Sequence, residues 1–374
     1  MRIGILLQSL DETWGGIGVY TREIVQALLQ VDSTNEYILI YPRFGHARTR
    51  RGQFRRHKNA VEIETEWSRV PFGTYWDQAV VPEVATRYGV DVLFNPFLTV
   101  PVRGKFKKVM IMHNVEYHVV PKVYDLVMYS WWFMLEKFIM HSADRVISIS
   151  NVMTEDFRKH VKYPFDQVRT IHHGVNSKFR PITDEARLAA AREEYGLPDR
   201  FILFVGHLYP QKNFSVLARA FARLKSTIPH RLVVAGRPRW KADADLQLID
   251  QLGIRDRVDF LQFVPNDDLV ALYNLADCFV YPSLYESFGL AQLEAMACGC
   301  PVIGANSGAI PEVTAGTAML FDPRSPEELA DAIVKVTQDP ATRQDLVERA
   351  KVRVKDFTWQ RTARETLAVF QELA

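Results

Sequence analysis

Short apolar runs alternate along the whole chain with longer stretches in which apolar residues recur every three to four positions. The runs at 3–7, 37–40, 61–64, 90–94, 109–112, 146–149 and 168–171 read as strands. Most are continuously apolar, as expected of parallel strands covered on both faces. Helical periodicity falls between them at 19–29, 74–88, 123–141 and 152–161. The segment 181–200 then breaks the pattern, being charged and rich in Ala and Glu, with one helical stretch and no strand. After it the plan repeats, with strands at 201–205, 231–234, 258–263, 278–281, 301–303 and 318–321. The helices of this half lie at 215–224, 243–252, 267–274, 290–297, 326–338 and 340–354, and a last one at 358–373. Strands alternating with helices of this length predict right-handed βαβ units. The expected fold class is therefore α/β, with two Rossmann-like doubly wound domains facing a central cleft. Ligands in such folds collect at the carboxyl ends of the strands. The expected domains are 1–178 and 179–356, followed by a terminal helix at 357–374.

Composition changes this picture little. The chain has 374 residues and a net charge of +2, so nothing global argues for nucleic acid. The charge is uneven, however. Arg43, Arg48, Arg50, Arg51, Arg55, Arg56 and Lys58 fall in one run without an acid. That run reads as a solvated loop, or else as a patch for anionic lipid or an anionic acceptor. The three cysteines, Cys278, Cys298 and Cys300, have no metal-type spacing, and their odd number argues against a disulfide framework. A reducing, cytoplasmic setting is expected. The first apolar run is too short for a signal peptide, and the apolar stretch at 126–135 is too short to span a bilayer.

Candidate chemistry clusters just past strand ends. Glu286 stands before the helix at 290–297 and Glu294 lies within it. Helical rise over eight positions separates them by ~12 Å, about the span from the sugar to the ribose of a nucleotide-sugar. Between them the amides of Ser287, Phe288, Gly289 and Leu290 open a helix, where an anion binds. Gly206, His207 and Lys212 follow the strand at 201–205, and Lys212 there would neutralise a diphosphate. Gly15-Gly16-Ile17-Gly18 follows the first strand. It is not G-x-G-x-x-G, so a dehydrogenase is a weak reading, and the loop reads equally as a tight turn or a ligand loop. His113 leaves the strand at 109–112 and either points into the cleft or caps a loop. His172 and His173 read as loop packing. Asp243-Ala244-Asp245 resembles a metal-binding D-x-D, but its place before a helix makes an N-cap the better reading. No metal and no cofactor are expected.

These motifs together resemble the retaining glycosyltransferases of family 4, whose fold is called GT-B. The glycine loop, His113-Asn114, the loop from Gly206 to Asn213, and the span from Glu286 to Glu294 occur in that family's order. Gly299-Cys300-Pro301 and Gly308-Ala309-Ile310-Pro311-Glu312 follow in register. The overall run is similar to a mannosyltransferase-like branch. The resemblance implies metal-independent transfer of a sugar from a nucleotide-sugar donor to a glycan or lipid-linked acceptor. GDP-mannose is the first expectation for the donor and a UDP-sugar the next. It implies that the first domain binds the acceptor, the second binds the donor, and the last helix returns to the first. It further implies that Glu294 holds the ribose and that Lys212 with the amides near Gly289 holds the diphosphate. Glu286 and His113 would contact the donor sugar, and the Gly16 loop would approach the phosphates. The family often carries arginine at His207 and glycine at Ser287, so those contacts differ here.

Two other classes fit less well. A sugar-nucleotide epimerase of related architecture usually lacks the glycine loop at 15–18. A non-catalytic nucleotide-sugar-binding subunit would bind without turnover. Within the transferase reading, the basic run and the aromatic cluster Tyr129, Trp131, Trp132 and Phe133 suggest peripheral contact with anionic membrane at its inner face. A buried helix face is the ordinary reading of that cluster.

Overall fold

The computed structural model describes residues 1–10, 15–42, 52–65, 73–119, 140–238 and 242–374. Most of the basic run and all of the aromatic cluster lie outside these residues. The chain divides into two compact units, 1–174 with 358–374, and 175–357. The divisions thus fall at 174/175 and 357/358, against 178/179 and 356/357 expected from the sequence.

The first unit is built on a seven-stranded sheet of order β3-β2-β1-β4-β5-β6-β7. Its strands are β1 Arg2–Leu6, β2 Glu36–Pro42, β3 Ala60–Thr65, β4 Val92–Asn95, β5 Lys107–Met112, β6 Arg145–Ser148 and β7 Val168–Thr170. Every pairing is parallel; Ile3, for example, lies opposite both Tyr37 and Val92. The strand order reverses between β1 and β4, which makes the loops after those strands the switch point of this sheet. Helix α1 (Gly16–Val31) follows β1. The helical stretch expected at 74–88 is two helices, α2 (Gly73–Ala79) and α3 (Val81–Arg87). Pro82 sits in the first turn of α3, where its missing N–H costs nothing, and so a new helix starts there. Trp76 of α2 is fully buried among Leu6, Ile38, Ile40 and Leu93. Helix α4 (Asn151–His160) follows β6 and is capped by the Ser150 hydroxyl, which accepts from the Met153 amide.

The second unit holds a six-stranded parallel sheet of order β10-β9-β8-β11-β12-β13. Its strands are β8 Phe201–Val205, β9 Arg231–Ala235, β10 Val258–Gln262, β11 Cys278–Tyr281, β12 Val302–Ala305 and β13 Met319–Phe321. Here the order reverses between β8 and β11. Helix α5 (Glu185–Glu194) opens the unit, α6 (Phe214–Arg223) follows β8 and α7 (Asp243–Gln251) follows β9. Helix α8 is Asn266–Leu275, α9 Leu290–Ala297, α10 Ile310–Thr314, α11 Pro326–Gln338 and α12 Pro340–Arg353.

The last helix, α13 (Trp359–Gln371), belongs to the first unit. Thr358 caps it, the Trp359 ring lies 5.6 Å from Tyr20 of α1, and Phe370 lies 5.3 Å from Phe94 of β4. Thr362 Oγ1 donates to the His172 carbonyl at 2.8 Å. Chain and helix run so close that a Cβ on Gly174 would stand 2.2 Å from the Trp359 nitrogen, so only glycine fits. No helix among the described residues is long and apolar enough to cross a membrane.

Candidate active site

In the second unit, two loops leave β8 and β11 on either side of the switch point. The β8 loop turns at Gly206, whose φ of 143° suits glycine. It passes close to the β9 loop. A Cβ on Gly236 would stand 1.9 Å from the Gly206 oxygen, so Gly236 is as necessary to this turn as Gly206 itself. His207 Nδ1 accepts from the Arg237 amide at 3.3 Å, and the Leu208 amide donates to the Arg237 carbonyl at 3.1 Å. With Nδ1 accepting, the neutral His207 ring carries its proton on Nε2.

A short 3₁₀ turn, Pro210–Lys212, then presents Lys212, and Asn213 closes it in the left-handed region at φ 53°. The turn is stitched to the β11 loop. Gln211 Nε2 donates to the Tyr285 carbonyl and the Leu284 amide donates to the Gln211 carbonyl, both at 2.8 Å. Asn213 Nδ2 donates to the carbonyls of Pro282 and Pro323, at 3.0 and 2.8 Å. Lys212 Nζ meets Glu286 Oε1 at 2.6 Å, with the two side chains 14% and 11% exposed. The ammonium also lies 5.3 Å from the centre of the Tyr281 ring. Burial alone would push the Lys212 pKa down. The Glu286 carboxylate overrides this and holds it well above the ordinary lysine value, so the pair is ionic.

Glu286 is fixed through its backbone. Its carbonyl accepts from the Ala309 amide at 2.8 Å, and a Cβ on Gly308 (φ 52°) would come within 2.6 Å of the Glu286 nitrogen and oxygen. Gly289, at φ 92°, is the N-cap of α9. Gln292 in the first turn donates to the Phe288 carbonyl at 3.0 Å. Around this helix start, Ser283 Oγ, Ser287 Oγ and Gln292 Oε1 are buried without a hydrogen-bond partner. The Phe288 ring packs edge-on to Phe357. Glu294 is half-buried further along α9 and accepts from Tyr273 Oη at 3.4 Å. Since α9 starts only at Leu290, helical rise does not cover the four residues from Glu286 to Gly289.

The structure thus brings Gly206, His207, Lys212, Glu286, Ser287, Gly289, Leu290 and Glu294 onto two adjacent loops and one helix. Sequence reasoning did not find Gly236, and placed Gln211, Asn213 and Gly308 in motifs without a role; all four hold those loops together. Gly236 and Gly308 each follow an apolar strand closely, which was their available signal. Asp243 and Asp245 are corrected. The N-cap of α7 is Ala242 without a side-chain bond, and both acids lie in the first turn. There they complement the helix dipole. Burial pushes the Asp245 carboxyl up to about 6. Among the described residues, no group of three His, Cys, Asp or Glu side chains is placed to hold a metal.

Gly16 and His113 lie in the first unit. Gly16 is the first residue of α1, exposed, and preceded by Gly15 at φ 55°. His113 leaves β5 and is buried, with Nε2 donating to the Pro96 carbonyl at 3.0 Å. Burial pushes its pKa down to about 4 against the smaller opposing effect of that bond, so the ring is neutral at pH 7. Its ring lies 5.1 Å from Tyr20 and 5.9 Å from His173. His173 is buried between Tyr20 and Trp359, at 4.7 and 5.8 Å.

Two family models match this chain. The one described as Glycosyltransferase Family 4 covers residues 14–179, and the one described as Glycosyl transferases group 1 covers 189–353. The chain belongs to this glycosyltransferase family. The serotype-specific mannosyltransferase WbdA of Escherichia coli is 32% identical over 237 residues, which is 62% of this chain and 29% of that one. The match thus spans less than a third of that relative's length. The O-antigen chain mannosyltransferase B of the same organism is 29% identical over 72% of this chain and 69% of its own. Among solved structures, Anabaena Alr3699/HepE in complex with UDP-glucose superposes with a TM-score of 0.77 and 19% identity over 100% of both chains. The fold is GT-B.

Proposed function

We propose that this chain is a retaining hexosyltransferase, moving a sugar from a nucleotide-sugar to a glycan or lipid-linked acceptor in surface polysaccharide or glycolipid synthesis. The observation that carries this reading is the Lys212–Glu286 pair at the switch point of the second sheet, beside a helix start with three unpartnered polar atoms. A cation for the diphosphate and acceptors for sugar hydroxyls then stand side by side. The E. coli mannosyltransferase relatives favour GDP-mannose as donor, and the UDP-glucose complex of the Anabaena neighbour makes a UDP-sugar the second choice.

In this reading the diphosphate takes the Lys212 ammonium, with the α9 dipole stabilising the leaving charge. Glu286, released from Lys212, accepts from donor-sugar hydroxyls, and Glu294 accepts from the ribose. The anomeric carbon–phosphate oxygen bond breaks and a bond to the acceptor oxygen forms on the same face. The acceptor proton passes to the departing phosphate, so neither an enzyme nucleophile nor a metal is required. Neutral His113 and the Gly16 loop would serve from the first unit.

A thermal-shift panel of nucleotides and nucleotide-sugars comes first, because specific binding raises apparent stability. Transfer assays with the donor so found then follow. Donor turnover by wild type with loss in Glu286→Ala and Lys212→Ala supports the reading. Isomerised donor without acceptor would point to an epimerase, and binding without turnover to a binding subunit.

A further inference from the structure

The loops that flank the switch point of the first sheet share a buried carboxyl that the proposed reaction does not use. Asp77 of α2 is fully buried. Gln8, just past β1, donates to its Oδ2 at 3.4 Å, and the Thr99 hydroxyl donates to the same oxygen. Asn95 at the end of β4 donates through Nδ2 to Thr99 Oγ1 at 3.2 Å and to the Thr99 carbonyl. The turn so closed contains Pro96, whose carbonyl holds His113 Nε2. Two atoms of this network, Asp77 Oδ1 and Asn95 Oδ1, are buried acceptors without a donor. A charged, half-satisfied carboxylate is costly in such a place, and one proton on Oδ1 removes the charge and turns an orphan acceptor into a donor.

We propose that Asp77 is a positioning residue that works as the neutral acid, fixing the 95–99 turn and hence His113 through its bond with the Thr99 hydroxyl, with the proton on Oδ1. Burial pushes its pKa up to about 7, against smaller opposing contributions from the Thr99 and Gln8 bonds. The groups that face it from β1 and from the 95–99 turn are uncharged. On α3, Glu83 and Arg87 are exposed and paired with each other at 2.8 Å. The sign follows. An acid whose pKa is raised by folding gives stability that is full below the unfolded value and lost as pH rises through about 7.

The role of His113 in transfer rests on the proposed function, whereas the network itself does not, and the test separates them. Full-length wild type, Asp77→Asn and Asp77→Ala are melted between about pH 5 and about pH 8.5. Relative to Asp77→Asn, the wild-type midpoint should fall as pH rises from about 5 to about 7 and level off above that. Histidine-selective ¹⁵N NMR should show the His113 Nε2–H tautomer retained in Asp77→Asn and lost or averaged in Asp77→Ala. In transfer assays, Asp77→Asn should keep wild-type kcat below neutral pH and lack its alkaline limb. Asp77→Ala should lose about tenfold or more in kcat with little change in donor KM. Parallel melting curves for wild type and Asp77→Asn would overturn the proton assignment. An unmoved His113 signal in Asp77→Ala would overturn the positioning role, whatever the assays show. Absence of transfer in wild type would count against the proposed function alone.

Discussion

Lys212 and Glu286 are a close-contact ion pair in a largely dry place, and that makes each dependent on the other. Removing one partner leaves a buried charge without compensation, which costs about 3–5 kcal/mol. Lys212→Met is therefore expected to lower unfolding stability by roughly that amount, and Lys212→Met/Glu286→Gln by clearly less than the sum of the singles. On activity, loss of the diphosphate cation should reduce kcat/KM by roughly 10²–10³. Denaturant melts and steady-state kinetics check both parts, and additive stability losses would show that the two side chains are independent. His113 gives a second prediction. Folding lowers its pKa from 6.5 to about 4, so the unfolded state binds the extra proton between those values. Stability from this group is full above pH 6.5 and lost as pH falls toward 4, at about 1.4 kcal/mol per pH unit. His113→Gln, which keeps a donor for Pro96, should melt with a shallower acid limb than wild type over that range.

At the scale of the element, the site is a product of loop-to-loop fit. Gly308 touches no ligand in the proposed reaction, yet its missing side chain lets the start of α10 lie against the backbone of Glu286. Gly308→Ala should strain φ and push the Glu286 backbone aside, with a stability loss of roughly 1–3 kcal/mol and a fall in kcat/KM. Gly253→Ala is the control. Its φ is 62° but a Cβ there meets nothing within 4 Å, so it should lose some stability and leave transfer kinetics unchanged. The same contrast explains what the chain discloses by itself. Most strands are covered on both faces and form apolar runs, and β3 and β10 mix apolar with charged positions, so the seven of the first sheet and the six of the second are legible to within a residue or two at their ends. Glu286, Lys212 and His113 were legible because each follows such a run. Asn213, Gln211 and Asp77 were not. Their roles depend on backbone carbonyls or hydroxyls contributed by segments 22 to 110 residues away. The break between α2 and α3 was also missed, because the apolar period continues through it and only Pro82 marks the restart.

The two units differ in how the chain builds them, and this sets their behaviour as separate molecules. The second is one continuous segment, 175–357, with its own sheet and core. Expressed alone, it should unfold cooperatively and show a nucleotide-dependent rise in melting temperature, since Lys212, Glu286, Glu294 and the start of α9 all lie within it. The first unit is split. Residues 1–174 leave the faces of Tyr20, Phe94 and His173 without α13, and leave Arg145 and Arg169 without Glu372, which they meet at 3.3 and 2.8 Å. That fragment should therefore be expanded or aggregated. The ends to be joined lie side by side, however, because a Cβ on Gly174 would stand 2.5 Å from the Thr358 carbonyl carbon. Replacing 175–357 by a short Gly-Ser link should accordingly restore a compact first unit, since little loop entropy is spent in closing so small a gap. Circular dichroism melts and amide proton NMR dispersion would check this. A linked protein no more ordered than 1–174 would show that α13 does not complete the first unit, and that its fold depends on the second.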